Sequence, residues 1–245
     1  MTADRSSRNP LSGYSAVLFD MDGVIVDTQS SVTGFWNQLA AEFGVTISRE
    51  QFIRHIYGCP ADHTLRYVFP SLDSAQRRVV MDHMAEYETN ELTYNAILGA
   101  IDLLRDLKAF RVPTALVTSG ARWKIAAVTS QLGIEHVFDV YVTVDDIATG
   151  KPAPDCYLHA ARVLDVPPQS CIVFEDALSG VEAAVAAGAL CVGVGPADMA
   201  PALVQAGVRY VVPDLDSVRL IPGENQTHIL RVGMHALPVR GRSIA

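Results

Sequence analysis

Asp20 and Asp22 flank Met21, and Gly23 follows, directly after the apolar run 15–19. Two carboxylates one residue apart at the tip of an emerging segment repel each other unless a cation neutralises them. The hard, oxygen-seeking ion for that task is Mg²⁺, and a tight turn at Gly23 lets backbone approach it. Read alone, the pair serves equally well as a helix N-cap, because Asp is common after strands. An EF-hand loop is excluded, since Val24 stands at the third acidic position and no Glu at the twelfth.

A second acidic pair, Glu175-Asp176, follows Phe174 and opens the segment that runs to Gly180. Neighbouring strand tips in a parallel sheet would gather all four carboxylates. That much negative charge requires a metal, and Mg²⁺ held this way bridges to a phosphate. Thr118-Ser119-Gly120 offers a hydroxyl and backbone N–H groups at a helix start, a cradle for an anion. Lys151 stands between Gly150 and two stiffening prolines, Pro152 and Pro154, where its charge can offset that developing on a phosphoryl group. An isolated Gly-Lys-Pro reads as a surface turn. Four such tips in series read as a site.

The elements that must position these groups follow from periodicity. Apolar runs at 15–19, 112–118, 140–144, 171–174 and 190–194, with a weaker one at 210–212, predict buried parallel strands. Helical spacing fills 100–110, 122–132 and 177–187, with Gly133 and Gly188 as stops. Strand–helix alternation of this kind predicts an α/β fold with a doubly wound, Rossmann-like parallel sheet. Residues 28–95 break the pattern with four helical stretches (30–43, 49–57, 62–69 and 75–92) and no strand. They read as an inserted α-helical cap on the core formed by 15–27 and 96–216. An insert after the first strand roofs the end where open α/β sheets bind ligands. Residues 1–14 read as a loose leader. In 217–245 a period of two over 230–236 leaves an extra edge strand or an unstructured tail as alternatives.

Composition narrows the function classes. Hydrophobic residues make up 49% and charged residues 19%, enough for a buried core and against disorder. A net charge of −8 without a Lys/Arg run argues against nucleic-acid or anionic-membrane partners. Cys59, Cys156, Cys171 and Cys191 are scattered singly, which removes zinc, iron–sulfur and dithiol readings and suits buried thiols in a reducing cytosol. The N-terminus has no apolar signal core. The longest apolar run, 183–195, is too short and too glycine-rich to span a bilayer. A cytoplasmic chain, monomer or homodimer, is the expectation.

Asp20-Met-Asp22-Gly-Val, the apolar run into Thr118-Ser119, Gly-Lys151-Pro-Ala-Pro-Asp and Phe-Glu175-Asp176 through Gly180 together resemble the four ordered motifs of the haloacid dehalogenase superfamily. The match covers about 17–195, and the helical insert is similar to that of phosphoglycolate-phosphatase-like and β-phosphoglucomutase-like members. The resemblance implies that Asp20 attacks phosphorus to give an aspartyl-phosphate. Asp22 would protonate the leaving oxygen and later activate water. It further implies Mg²⁺ held by the Asp20 side chain, the Asp22 backbone carbonyl, Asp176 and Glu175, directly or through water. Thr118 and the Ser119 amide would bind phosphoryl oxygens, and Lys151 would neutralise charge. Dehalogenases and phosphonatases look different at the second acidic position, so Asp22 argues for phosphoryl transfer to or from oxygen.

The expected substrate is a small phosphorylated metabolite, and the first reading is a sugar- or polyol-phosphate phosphatase. Phe35-Trp36 and the Val117–Arg122 stretch resemble glycerol-phosphate and deoxysugar-phosphate phosphatases. The alternative is a β-phosphoglucomutase-like mutase, which holds a second phosphate in its cap. Against it, Ala61 stands where the mutase has an Arg, and Val32 near where it has a His. A non-enzymatic binding module would require Asp20 or Asp22 to be missing. Arg54, His55 and His63 fall in the expected specificity loop, where a substrate hydrogen bond and solvent exposure are both open. Trp123 could face the cap or solvent. Asp27 reads as a helix cap or hinge.

Overall fold

The computed structural model describes residues 13–90 and 93–243, so the leader is outside the described residues up to position 12. After β1 (Ala16–Phe19) the chain leaves the sheet for α1 (Gln29–Glu42), α2 (Arg49–Gln51), α3 (Ala61–Val68) and α4 (Ser74–Asn90). It returns through α5 (Ala100–Ala109), β2 (Thr114–Val117), α6 (Arg122–Leu132), β3 (Val140–Val142) and α7 (Asp155–Val163). The strand–helix alternation ends with β4 (Cys171–Glu175), α8 (Leu178–Ala186), β5 (Leu190–Val194), α9 (Ala200–Ala206) and β6 (Tyr210–Val212). The six strands form one parallel sheet in the order β3-β2-β1-β4-β5-β6. The order reverses at β1, with β2 on one side and β4 on the other. A switch point of this kind leaves a crevice at the carboxyl ends of the strands.

Every residue of β1, β2 and β4 is buried, which is why their runs are apolar on both faces. Alternation sorts the side chains into two layers. Val17 and Phe19 pack with Leu104 and Leu107 of α5 and Val128 of α6. Ala16 and Leu18 pack with Tyr157 of α7, Val181 of α8 and Leu203 of α9. The thiols of Cys156, Cys171 and Cys191 are buried in this second layer.

The insert has its own apolar cluster, built on Phe35, Trp36, Leu39, Phe52, Leu65 and Phe69. Within it, Ser48 and Gln51 cap α2 reciprocally, at 3.2 and 2.9 Å. The helix expected over 49–57 changes after Gln51 to a π-helical turn, Phe52–Ile56. The chains entering and leaving the insert are tied together: Asp27 N–H donates to Asn95 O, and Ile97 N–H to Ile25 O, both at 2.9 Å. Asp27 thus belongs to this paired linker rather than to a side-chain cap.

The C-terminal segment differs from both expected alternatives. β7 (Val218–Ile221), β8 (Thr227–Val232) and β9 (His235–Arg240) form a separate antiparallel sheet in the order β7-β8-β9. The period-two stretch is two strands because Gly233, at φ +55°, turns the chain back. Val218, Leu230, Val232 and Val239 join the layer built on α5 and α6, so the small sheet covers that face. Tyr14, part of the expected leader, pairs with it: Tyr14 N–H donates to Pro238 O, and Arg240 N–H to Tyr14 O. No described helix is long and apolar enough to cross a membrane.

Candidate active site

Register alone brings the tips together. Phe19 is paired with Leu116 on one side and Phe174 on the other, so Asp20, Thr118 and Glu175 emerge side by side. Asp20 N–H donates to Phe174 O at 3.0 Å, and the Phe19 and Phe174 rings stack at 5.2 Å beneath. Lys151 arrives from the loop before α7 and is almost fully buried. Its ammonium donates to Asp20 Oδ1 at 2.5 Å and to Glu175 Oε1 at 2.6 Å. Tyr157 of α7 donates its hydroxyl to the same Glu175 oxygen at 2.5 Å. Sequence reasoning missed Tyr157, which only the packing of α7 across β1, β2 and β3 reveals.

The charges are finely opposed. Burial pushes the Asp20 carboxyl up to about 8 against the pull of Lys151, with Glu175 and Asp22 adding to the rise. Burial, then Asp20 and Glu175, holds Asp176 well above the carboxylate range. Burial works against the Lys151 charge, but Asp20 and Glu175 outweigh it and hold the ammonium well above the usual lysine value. One lysine therefore faces more carboxylates than it can neutralise.

A divalent cation fits what remains. Oxygens of Asp20, Glu175 and Asp176 lie within 4.8 Å of one another. Asp176 Oδ1 is buried without a hydrogen-bond partner, and such an atom is costly unless a ligand completes it. A Cβ at Gly23 would stand 2.0 Å from Asp176 Oδ2, so only glycine lets this carboxylate close on the site. The donors are hard oxygens, the set that a small divalent ion prefers.

Asp22 turns its side chain elsewhere. Thr28 donates its hydroxyl to Asp22 Oδ1 at 2.7 Å, and Lys124 Nζ donates to Oδ2 at 3.2 Å. Lys124 is 5% exposed, on the first turn of α6. Sequence reading missed it, because a lone lysine inside a helical stretch carries no signal. Thr118 Oγ1 accepts from Gly120 N–H at 2.9 Å, which directs its own proton away from that loop.

These groups floor a cavity of about 320 Å³ between the sheet and the insert. Asp20, Asp22, Thr118, Ser119 and Asp176 line it from the core, and Trp36, Ile56, Met81 and Met84 line it from the insert. Trp123 also lines the cavity, which resolves its two expected orientations. Arg54, His55 and His63 do not. Arg54 pairs with Glu50 at 3.1 Å, while His55 and His63 meet each other at 3.2 Å beside the Tyr67 ring. The loop at Gly58 closes the site: its carbonyl accepts from Ser119 Oγ at 3.2 Å and Ser179 Oγ at 3.4 Å.

The chain is similar to known proteins over most of its length. The chain is 34% identical over 211 residues to validoxylamine A 7'-phosphate phosphatase of Streptomyces hygroscopicus subsp. limoneus, covering 84% of this chain and 96% of that protein. Hexitol phosphatase A of Escherichia coli is 36% identical over 191 residues, covering 74% and 83%. The crystal structure of a β-phosphoglucomutase from Clostridium difficile superposes with a TM-score of 0.70 at 28% identity, covering 84% and 93%. The family model for haloacid dehalogenase-like hydrolases matches residues 17–194. With the acidic ends of β1 and β4, the hydroxyl end of β2 and a buried lysine gathered in one site, the chain belongs to the haloacid dehalogenase-like hydrolases and, among them, to the phosphoric monoester hydrolases.

Proposed function

We propose that the protein is a cytoplasmic, Mg²⁺-dependent phosphatase of a small sugar or polyol phosphate, with residues 28–95 as its cap. The observation that carries the reading is Asp20. It is a buried carboxylate on the cavity floor, held by Lys151 and set beside Thr118 and the Glu175–Asp176 pair. The names of the relatives support the substrate class. Asp20, Glu175 and Asp176 would hold Mg²⁺, together with the Asp22 backbone carbonyl. When bound, the ion supplies positive charge against the gathered carboxylates and the substrate's phosphate.

Asp20 attacks phosphorus in line, forming the acyl phosphate as the P–O bond to the substrate breaks. Asp22, on the cavity wall, gives its proton to the departing oxygen. Thr118 and the Ser119 amide hold phosphoryl oxygens, and Lys151 offsets their charge. Asp22 then takes a proton from water, whose oxygen displaces Asp20 and releases inorganic phosphate.

The test is phosphate release from a panel of sugar, polyol and nucleotide monophosphates, with and without chelator, beside a phosphosugar isomer assay. Release that stops with chelator and returns with Mg²⁺ is expected. Isomerisation without release would instead favour the mutase reading, which the likeness to a β-phosphoglucomutase structure keeps in view. No release from any monoester would overturn both.

Linkage gives a second expectation. Asp20 and Asp176 are raised on folding, so between the ordinary aspartate value and about 8 the folded chain holds protons that the unfolded chain has lost. A carboxyl raised this way lowers stability as pH climbs through that window. Mg²⁺ needs the ionised carboxylates and removes the penalty, so its stabilisation should grow between about pH 5.5 and about pH 8. Melting curves with Mg²⁺ and with chelator measure it, and a pH-independent difference contradicts it.

Gly58 supplies a third. It sits at φ +69°, and a Cβ there would stand 2.4 Å from the Ala177 Cβ. Gly58→Ala should therefore hold the cap off the core and reduce kcat/KM roughly tenfold or more. Steady-state kinetics on an intact fold, verified by circular dichroism, decide the point. Unchanged kcat/KM would mean that this contact is not part of closure.

A further inference from the structure

We propose that Trp123 is a specificity-determining residue. Its indole, with Met81 and Met84, takes the carbon face of an uncharged, monosaccharide-sized alcohol, so the enzyme prefers monophosphates and rejects substrates carrying a second anion. The proposal rests on the phosphatase reading above and names the part of the substrate that the reading leaves open.

Three observations carry it. First, the cavity is divided by polarity. Its floor holds the carboxylates, Thr118 and Ser119, while Trp36, Ile56, Met81, Met84 and Trp123 form an apolar upper wall. Second, large apolar groups are uncovered there: Trp123 is 38% exposed and Met81 38% exposed, although both border a cavity. They stand on α6 and α4, which contact each other, so the two side chains border one space from two elements. An aromatic face beside adaptable thioethers suits the C–H surface of a ring or an extended polyol. The volume, about 320 Å³, is at the small end of ligand pockets, which accommodates one sugar-sized unit with its phosphate.

Third, the insert side of the cavity presents no cation to a second anion. No Arg or His is among the described residues that line the cavity. Its lysine, Lys124, is ion-paired with Asp22 at 3.0 Å. The insert's charged contribution is a carboxylate, Asp62, which pairs with Arg66 at 2.7 Å. Arg122, beside Trp123 in the chain, pairs with Asp146 at 2.5 Å, and Arg54, His55 and His63 are engaged off the cavity wall. A second phosphate or a carboxylate would lose its hydration against Trp, Met and Asp with no cation to compensate, only the neutral Gln29 and Tyr57 side chains. The same absence weighs against a mutase, which must hold a second phosphate here.

The experiment measures kcat/KM on sorbitol 6-phosphate, glycerol 3-phosphate, 6-phosphogluconate and fructose 1,6-bisphosphate. Wild type, Trp123→Ala and Trp123→Phe are compared. Wild type should prefer sorbitol 6-phosphate to each of the others by about tenfold or more. In Trp123→Ala the ratio for sorbitol 6-phosphate over glycerol 3-phosphate should fall about tenfold, mainly through KM, and Trp123→Phe should restore part of it. A bisphosphate or gluconate substrate as good as the hexitol overturns the proposal, as does an unchanged ratio in Trp123→Ala. The wild-type ranking tests it even if a variant fails to fold. Release of phosphate from none of the four, nor from the wider monoester panel, would instead sink the phosphatase reading itself.

Discussion

Asp20→Asn should lower turnover by about four to six orders of magnitude, the scale on which removal of a covalent nucleophile registers. The substitution is close to isosteric, at a position only 3% exposed. An amide oxygen can still accept from Lys151, so the geometry at the tip of β1 is kept. What disappears is the negative oxygen able to form a bond to phosphorus. Removing one of several crowded carboxylates should also leave stability unchanged or higher, because burial, Glu175 and Asp22 all oppose a charge on Asp20 and Lys151 keeps Glu175 as its partner. The loss is therefore chemical and not a loss of fold. Acid-quenched wild type, mixed briefly with substrate, should carry one phosphoryl group on the Asp20 peptide by mass spectrometry, and the variant none. Retention of more than about one-hundredth of the activity, with deamidation back to Asp excluded by mass, would remove Asp20 from its role.

What the chain announced in advance, and what it withheld, divides along a physical line. The strands at 15–19, 171–174 and 190–194 were legible because a segment buried on both faces must be apolar throughout. Their tips were legible because Asp20, Thr118 and Glu175 end such runs, Lys151 stands out in a Gly-Pro loop, and a parallel sheet places its tips at one end. The neighbours of each tip were not legible. That Glu175 shares an oxygen between Lys151 and Tyr157 depends on how α7 lies across β1, β2 and β3, and no local pattern encodes it. Lys124 is similar: it lies next to Ile125 on α6, and its burial follows from the approach of Asp22. In the insert, polarity misdirected the reading. Arg54, His55 and His63 were candidate substrate contacts because of residue type, yet rotation of the helices about their own apolar cluster turns them off the cavity wall. Trp36, which belongs to that cluster, and Trp123, whose facing was open, line it instead. The C-terminal sheet shows the remaining gap: alternation suggested one edge strand or a tail, whereas three strands pair with one another, with Tyr14 beside them and the face over α5 beneath.

Lys151→Met should be strongly destabilising. Lys151 is 4% exposed and bridges Asp20 and Glu175 at 2.5 and 2.6 Å. Methionine fills nearly the same volume, so little cavity is created and the effect is electrostatic. Removing one partner of a buried ion pair leaves an uncompensated charge, typically at about 3–5 kcal/mol. For a chain of this size that is a fall in Tm of roughly 6–20 °C. Glu175 keeps the Tyr157 hydroxyl and, at 3.4 Å, the Ala177 N–H, so Asp20 bears more of the loss. Activity should fall with it, because the positive charge nearest the nucleophile is gone. The double variant Lys151→Met/Asp20→Asn separates the two effects. It should melt above Lys151→Met alone, because it discards one of the carboxylates left without a cation, while activity stays at the Asp20→Asn level. If Lys151→Met melts within about 2 °C of wild type, or if the double variant is the less stable of the two, then the lysine does not hold this cluster together.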